Sequence, residues 1–192
     1  MSSSSTAADP DRLCAHIRTL AGDLTPRDAD HPERLAPVAE YIEAQLTPHS
    51  ERLPDQSYAV EGTTVRNVIA RLGPEIGERI IVGAHHDTAG PYPGADDNAS
   101  GVAGLLELAR LLDGVTLPCP VDLVSYPLEE PPYFYTDEMG SAVHAQALKE
   151  QGAAVRAMLA LEMIGYNPRA EEGRSWVCRR RSCQDRVESS RN

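Results

Sequence analysis

The stretch from Val82 to Gly101, VGAHHDTAGPYPGADDNASG, gathers imidazole and carboxylate groups at two points. His85 and Asp87 stand at the end of an apolar run, and Asp96-Asp97-Asn98 stands just ahead of another. Imidazole nitrogen and carboxylate oxygen at neighbouring element ends are the donor set of a Zn²⁺ site, which binds them at about 2.0–2.2 Å. More acids follow in similar places: Glu129 and Glu130 after one apolar segment, Glu162 inside another. Unpaired buried carboxylates are costly. A series of them at the ends of buried elements therefore points to shared chemistry rather than to packing.

Those donors need elements to carry them. Arg79–Ala84 reads as a buried strand stopping at His85. If strand geometry persists, His85 and Asp87 share one face and His86 points to the other. Gly90, Pro91, Pro93 and Gly94 make the loop that follows. Ser100–Leu112 is apolar almost all round, which predicts a helix buried in the fold. Val65–Leu72 and Val121–Tyr126 read as strands, the second leading to Glu129-Glu130 and stopped by Pro131-Pro132. Met158–Gly165 reads as a last buried strand containing Glu162. Helices are predicted over Pro10–Leu20, Pro32–Leu46 and Gly140–Glu150 from their apolar spacing. His16 on the first reads as a partly buried structural histidine, and His144 on the last as a surface residue or one supporting the site. Helices alternating with buried strands imply an α/β domain, three-layer α/β/α with a mostly parallel mixed sheet. Sites in such sheets lie beyond the carboxyl ends of the strands.

The chain of 192 residues is long enough for one domain with a real core, and with one Phe and one Trp that core must be aliphatic. A net charge of −11 argues against nucleic acid as a partner. No segment approaches the roughly 20 apolar residues of a membrane span. The N-terminus lacks the basic start and apolar core of a signal peptide, so a cytoplasmic location is the default expectation. Cys14, Cys119, Cys178 and Cys183 form no CxxC pair and read as free thiols. Residues 1–9 are expected to be disordered and 10–166 to form the domain. Residues 167–192, with seven Arg and no apolar periodicity, read as an irregular or disordered tail, or as a shifted reading frame.

AHHD, PGADDNASGVAGLLELAR, LEE, MGS and LEMIG, in that order and spacing, resemble the co-catalytic zinc aminopeptidases of metallopeptidase family twenty-eight. The match covers about residues 60–166. The resemblance implies an exopeptidase acting on peptides, with His85 on the first zinc, Asp97 bridging two zincs, and Glu130 on the second. It implies Glu129 as general base, Asp87 as the partner that fixes the tautomer of His85, and Glu162 where relatives place an Asp ligand. His86 as the ligand and Asp96 as the bridge are the alternatives if the register slips by one. The loop PPYFYTDEMGS departs from the family pattern. The family's further His, which would complete the second zinc, has no counterpart, since no His follows His144. These departures imply a C-terminally incomplete member with one zinc, impaired turnover and an exposed sheet edge open to self-association. A non-catalytic interaction protein on this scaffold, or a one-zinc enzyme like glutaminyl cyclase, fits the same donors.

Overall fold

The computed structural model describes residues 7–52 and 56–165. Its strands are β1 (Glu51–Arg52), β2 (Gln56–Val60), β3 (Thr63–Leu72), β4 (Arg79–His85), β5 (Val121–Tyr126) and β6 (Val155–Ala160). Its α-helices are α1 (Pro10–Arg18), α2 (Leu35–Leu46), α3 (Ala99–Leu112) and α4 (Gly140–Glu150). The strand order is β1-β3-β5-β4-β6, and β2 forms a hairpin with the first half of β3. β4 runs parallel to both β5 and β6, whereas β3 is antiparallel to β5. The three parallel strands therefore finish at one edge, and the acids that follow them emerge there together. The sheet is mixed, with helices on both faces.

Strand alternation builds two aliphatic layers. Val68, Ala70, Leu72, Val82, Ala84, Val121 and Leu123 pack with Val38, Ile42, Leu46, Val102, Leu105 and Leu106 from α2 and α3. The residues between them, Ile69, Ile81, Val124 and Tyr126, pack with Leu148 of α4. Period-two alternation in a sheet covered on both faces requires this division. α3 is buried nearly all round, as its composition predicts, down to Glu107. That carboxylate is satisfied by Arg110 and by the backbone N–H of Asp9 at 2.7 Å.

Three expectations need correction. Residues 7–9 are anchored rather than disordered, because Asp9 donates to Glu107 and Arg110 donates to the Ala7 carbonyl. The last strand covers Val155–Ala160, and it is exposed: Met158 is 47% and Leu159 50% accessible. Among the described residues β6 pairs with β4 alone, so its far side has no neighbour. His144 is not on the surface: it is buried, with Nδ1 2.9 Å from the Tyr126 hydroxyl. His16 is buried too, with Nδ1 2.7 Å from the hydroxyl of Tyr41. Cys14 and Cys119 are free thiols. The tail 167–192, with Cys178 and Cys183, lies outside the described residues. No helix among those described is long and apolar enough to cross a membrane.

Candidate metal centre

β4 delivers His85 at its last position, opposite Tyr126 of β5. The imidazole is buried, and its two nitrogens face different partners. Nδ1 lies 3.3 Å from Asp87 Oδ1. Nε2 looks into a group of acids, 3.2 Å from Asp97, 3.4 Å from Glu162 and 3.8 Å from Glu129. His85, Asp97 and Glu130 each offer a donor atom, and these atoms all lie within 4.8 Å of one another. The structure thus gathers His85, Asp87, Asp97, Glu129, Glu130 and Glu162 at one sheet edge.

The alternation that puts His85 and Asp87 together sends His86 the other way. Its Nδ1 meets the Ser125 hydroxyl at 2.9 Å, and burial holds its pKa down at about 3, so it stays neutral within the fold. Asp96 is likewise occupied. It accepts hydrogen bonds from the Ser100 hydroxyl and from the Gly165 N–H. Asn98 caps α3, accepting from the Gly101 N–H at 3.0 Å while donating to the Leu161 carbonyl and to Glu162. An Asn immediately before a helix is a readable cap signal; its second task, holding the Glu162 segment, leaves no trace in the sequence. Gly101 permits this contact, since a Cβ there would sit 2.3 Å from both the Asn98 side chain and the Leu161 carbonyl. The Asp97–Asn98 peptide is cis.

Asp87 is buried and accepts from His85 and from the Glu130 N–H at 2.9 Å. Burial alone would raise its pKa, but those hydrogen bonds and the His85 charge bring it below the usual carboxylate range. Burial also opposes protonation of His85, yet Asp87 and Glu162 overcome it and lift the imidazole to about 11. Burial, and then the charge of Asp97, push the Glu130 carboxyl up to about 7. Glu129 moves upward as well, first through burial and then through the acids around it. The cluster is short of positive charge. One imidazole and several carboxylates suit a divalent cation of the zinc type, and the residues fit it in chemistry and convergence.

Sequence reasoning missed Arg27. It lies in a polar segment between two helices and bonds to carbonyls far along the chain.

Residues 67–188 match the model of Peptidase family M28. The uncharacterized protein YfbL of Escherichia coli (strain K12) is 47% identical over 167 residues, covering 83% of this chain and 51% of that protein. Leucine aminopeptidase 1 of Phaeosphaeria nodorum is 32% identical over 114 residues, 52% of this chain and 28% of the relative. The chain thus spans about half, or less, of the curated relatives it matches. Among solved structures, a leucine aminopeptidase precursor from Bacteroides thetaiotaomicron superposes with a TM-score of 0.66 at 26% identity, over 83% of this chain and 64% of that one. The glutaminyl cyclase of Porphyromonas gingivalis gives a TM-score of 0.68 at 27% identity, over 83% and 61%. With a family match over more than half its length, laid across the strands and acids described above, this chain belongs to peptidase family M28.

Proposed function

We propose that this chain is a zinc-dependent exopeptidase of the aminopeptidase kind. One observation carries the reading: His85, Asp97 and Glu130 bring one nitrogen and two carboxylates within 4.8 Å of one another at the parallel-strand edge. His85, Asp97, Glu130 and Glu162 are the residues that would hold zinc. Zinc in that place supplies Lewis acidity, polarising a carbonyl and making water nucleophilic near neutral pH.

The remaining chemistry belongs to side chains of this chain. Glu129 stands beside the donors and has a raised pKa, which suits a base that takes a proton from water and passes it to the leaving amine. With zinc bound, Asp87 would keep the one remaining proton of His85 on Nδ1 and leave the Nε2 lone pair for the metal. Asp97, 3.2 Å from His85 Nε2, would be the carboxylate shared with any second cation. Among the described residues a second cation would find Asp97 and Glu130, fewer than the three protein ligands of a catalytic zinc. We therefore assign one tight zinc to these residues.

The test is zinc stoichiometry of the 192-residue chain together with hydrolysis of a leucyl reporter. One equivalent of zinc is expected, lost in His85→Ala and kept in Glu129→Gln, while Glu129→Gln lowers hydrolysis by about 10²–10⁴-fold. Zinc binding that survives His85→Ala would overturn the site, and two tightly held zincs would overturn the single-metal assignment. Ammonia release from peptides beginning with Gln, without hydrolysis of the leucyl reporter, would instead assign the cyclisation for which the Porphyromonas gingivalis enzyme is named.

A further inference from the structure

Between His85 and Asp97 lies a loop rich in Gly and Pro, with no helix or strand to fix its path. Its path decides whether Asp97 meets His85. Arg27 lies beneath this loop and is fully buried. Its Nε donates to the His86 carbonyl at 2.8 Å. One terminal nitrogen donates to the carbonyls of Leu20 and Pro93, the latter at 2.9 Å, and the other to the Gly94 carbonyl at 3.1 Å. The backbone reciprocates, because the Thr88 N–H donates to the Arg27 carbonyl at 3.1 Å. A single guanidinium thus ties down both ends of the loop, just after His85 and just before Asp97.

Gly94 passes that restraint on to the helix. Its carbonyl also accepts from Ala99 N–H, the first residue of α3, at 3.0 Å. Its φ is +56°, and a Cβ there would lie 2.3 Å from the Thr88 methyl, 2.4 Å from the Asp97 carbonyl and 2.9 Å from the Arg27 guanidinium. Loop, guanidinium and Asp97 backbone are packed with no slack.

We propose that Arg27 is a positioning residue of the metal centre, whose fork of N–H donors holds the 86–98 loop so that Asp97 stands against His85. This rests on the zinc reading above. The residue type matters. Arg presents five N–H donors in a rigid plane, whereas Lys has three at one point and cannot reach carbonyls on both sides of the loop. Arg27 is also a positive charge in the field of Asp87 and Asp97, so it offsets part of their mutual repulsion.

The test compares wild type, Arg27→Lys and Gly94→Ala by zinc competition against a chromophoric chelator and by amide hydrogen exchange. Arg27→Lys is expected to bind zinc about 10–100-fold more weakly. Exchange should speed across residues 88–99 while β5 stays protected. A merely structural arginine would lower the melting temperature and leave the zinc affinity of the folded protein unchanged. Folded Arg27→Lys with zinc affinity within about threefold of wild type and unaltered loop exchange overturns the proposal. Should Arg27→Lys fail to fold, Gly94→Ala, which keeps the guanidinium but crowds its loop, decides on the same two readouts. Should wild type bind no zinc, the zinc reading fails by itself, and loop exchange alone decides the role of Arg27.

Discussion

Replacing Asp87 with Asn changes almost no volume and removes one acceptor and one charge from the middle of the site. In the native chain Oδ1 faces His85 Nδ1 at 3.3 Å and Oδ2 accepts from the Glu130 N–H at 2.9 Å. The residue is 2% exposed, so water cannot substitute for either contact. An amide has one acceptor oxygen and one NH₂. With its carbonyl turned to the Glu130 N–H, the amide offers His85 Nδ1 an NH₂, so the imidazole shifts its proton to Nε2 or loses its partner. Either way a hydrogen bond to a buried carboxylate is gone, worth about 1.5–3 kcal/mol, and the metal-free chain should lose that much unfolding free energy. The zinc effect is separate. Without the carboxylate, nothing fixes the His85 proton on Nδ1, and loss of such a partner weakens metal affinity about 10–100-fold, or about 1.4–2.8 kcal/mol. Urea denaturation with chelator present measures the first effect, and zinc competition measures the second. A variant within about 0.5 kcal/mol of wild type in stability and about threefold in zinc affinity would refute this account of Asp87.

Other consequences concern the core, the pH response and the sheet edge. Leu105→Ala empties a fully buried position of α3 and should cost about 2–5 kcal/mol; a loss below about 1 kcal/mol would mean the core collapses around the gap. His16 and His144 are both held below the ordinary imidazole pKa, chiefly by burial, and each bonds to a tyrosine hydroxyl. The unfolded chain therefore takes up their protons first, so their contribution is fully present above about pH 6.5 and is lost as pH falls from there toward the folded pKa. The urea midpoint of wild type should drop more steeply on acidification than that of a His16→Gln, His144→Gln double variant, and parallel curves would contradict this. Among the described residues β6 leaves Met158 and Leu159 half exposed on an edge strand, an arrangement that templates pairing with another chain. We expect concentration-dependent association of the 192-residue chain in sedimentation velocity, suppressed by Leu159→Lys; a monomer at every concentration would dismiss it.

Much of the scaffold around the candidate site was legible in the sequence. The apolar run into His85, the buried helix after Asp97 and the strand before Glu129-Glu130 announce themselves by local periodicity, and the structure forms all three where expected. Other features were not. The antiparallel direction of β3 beside β5 and the β2–β3 hairpin are not revealed by the apolar pattern. The exposure of β6 contradicts its aliphatic composition, since a strand's burial depends on what lies over it and not on its own residues.

The same division runs through the chemistry. Residue types alone determined which atoms could bind a cation, because imidazole and carboxylate carry their donor chemistry wherever they are placed. They also placed those donors at the ends of buried elements, because hydrophobic periodicity is a local property. Only the tertiary structure decided which donors face one another. His85 Nε2 and not His86 meets Asp97, Asp96 is taken up by Ser100 and Gly165, and Glu162 arrives on a segment held by Asn98. Arg27 shows the reason most directly. Its partners are backbone carbonyls as far as 67 residues away, and a carbonyl is present in every residue, so no pattern in the sequence could single them out.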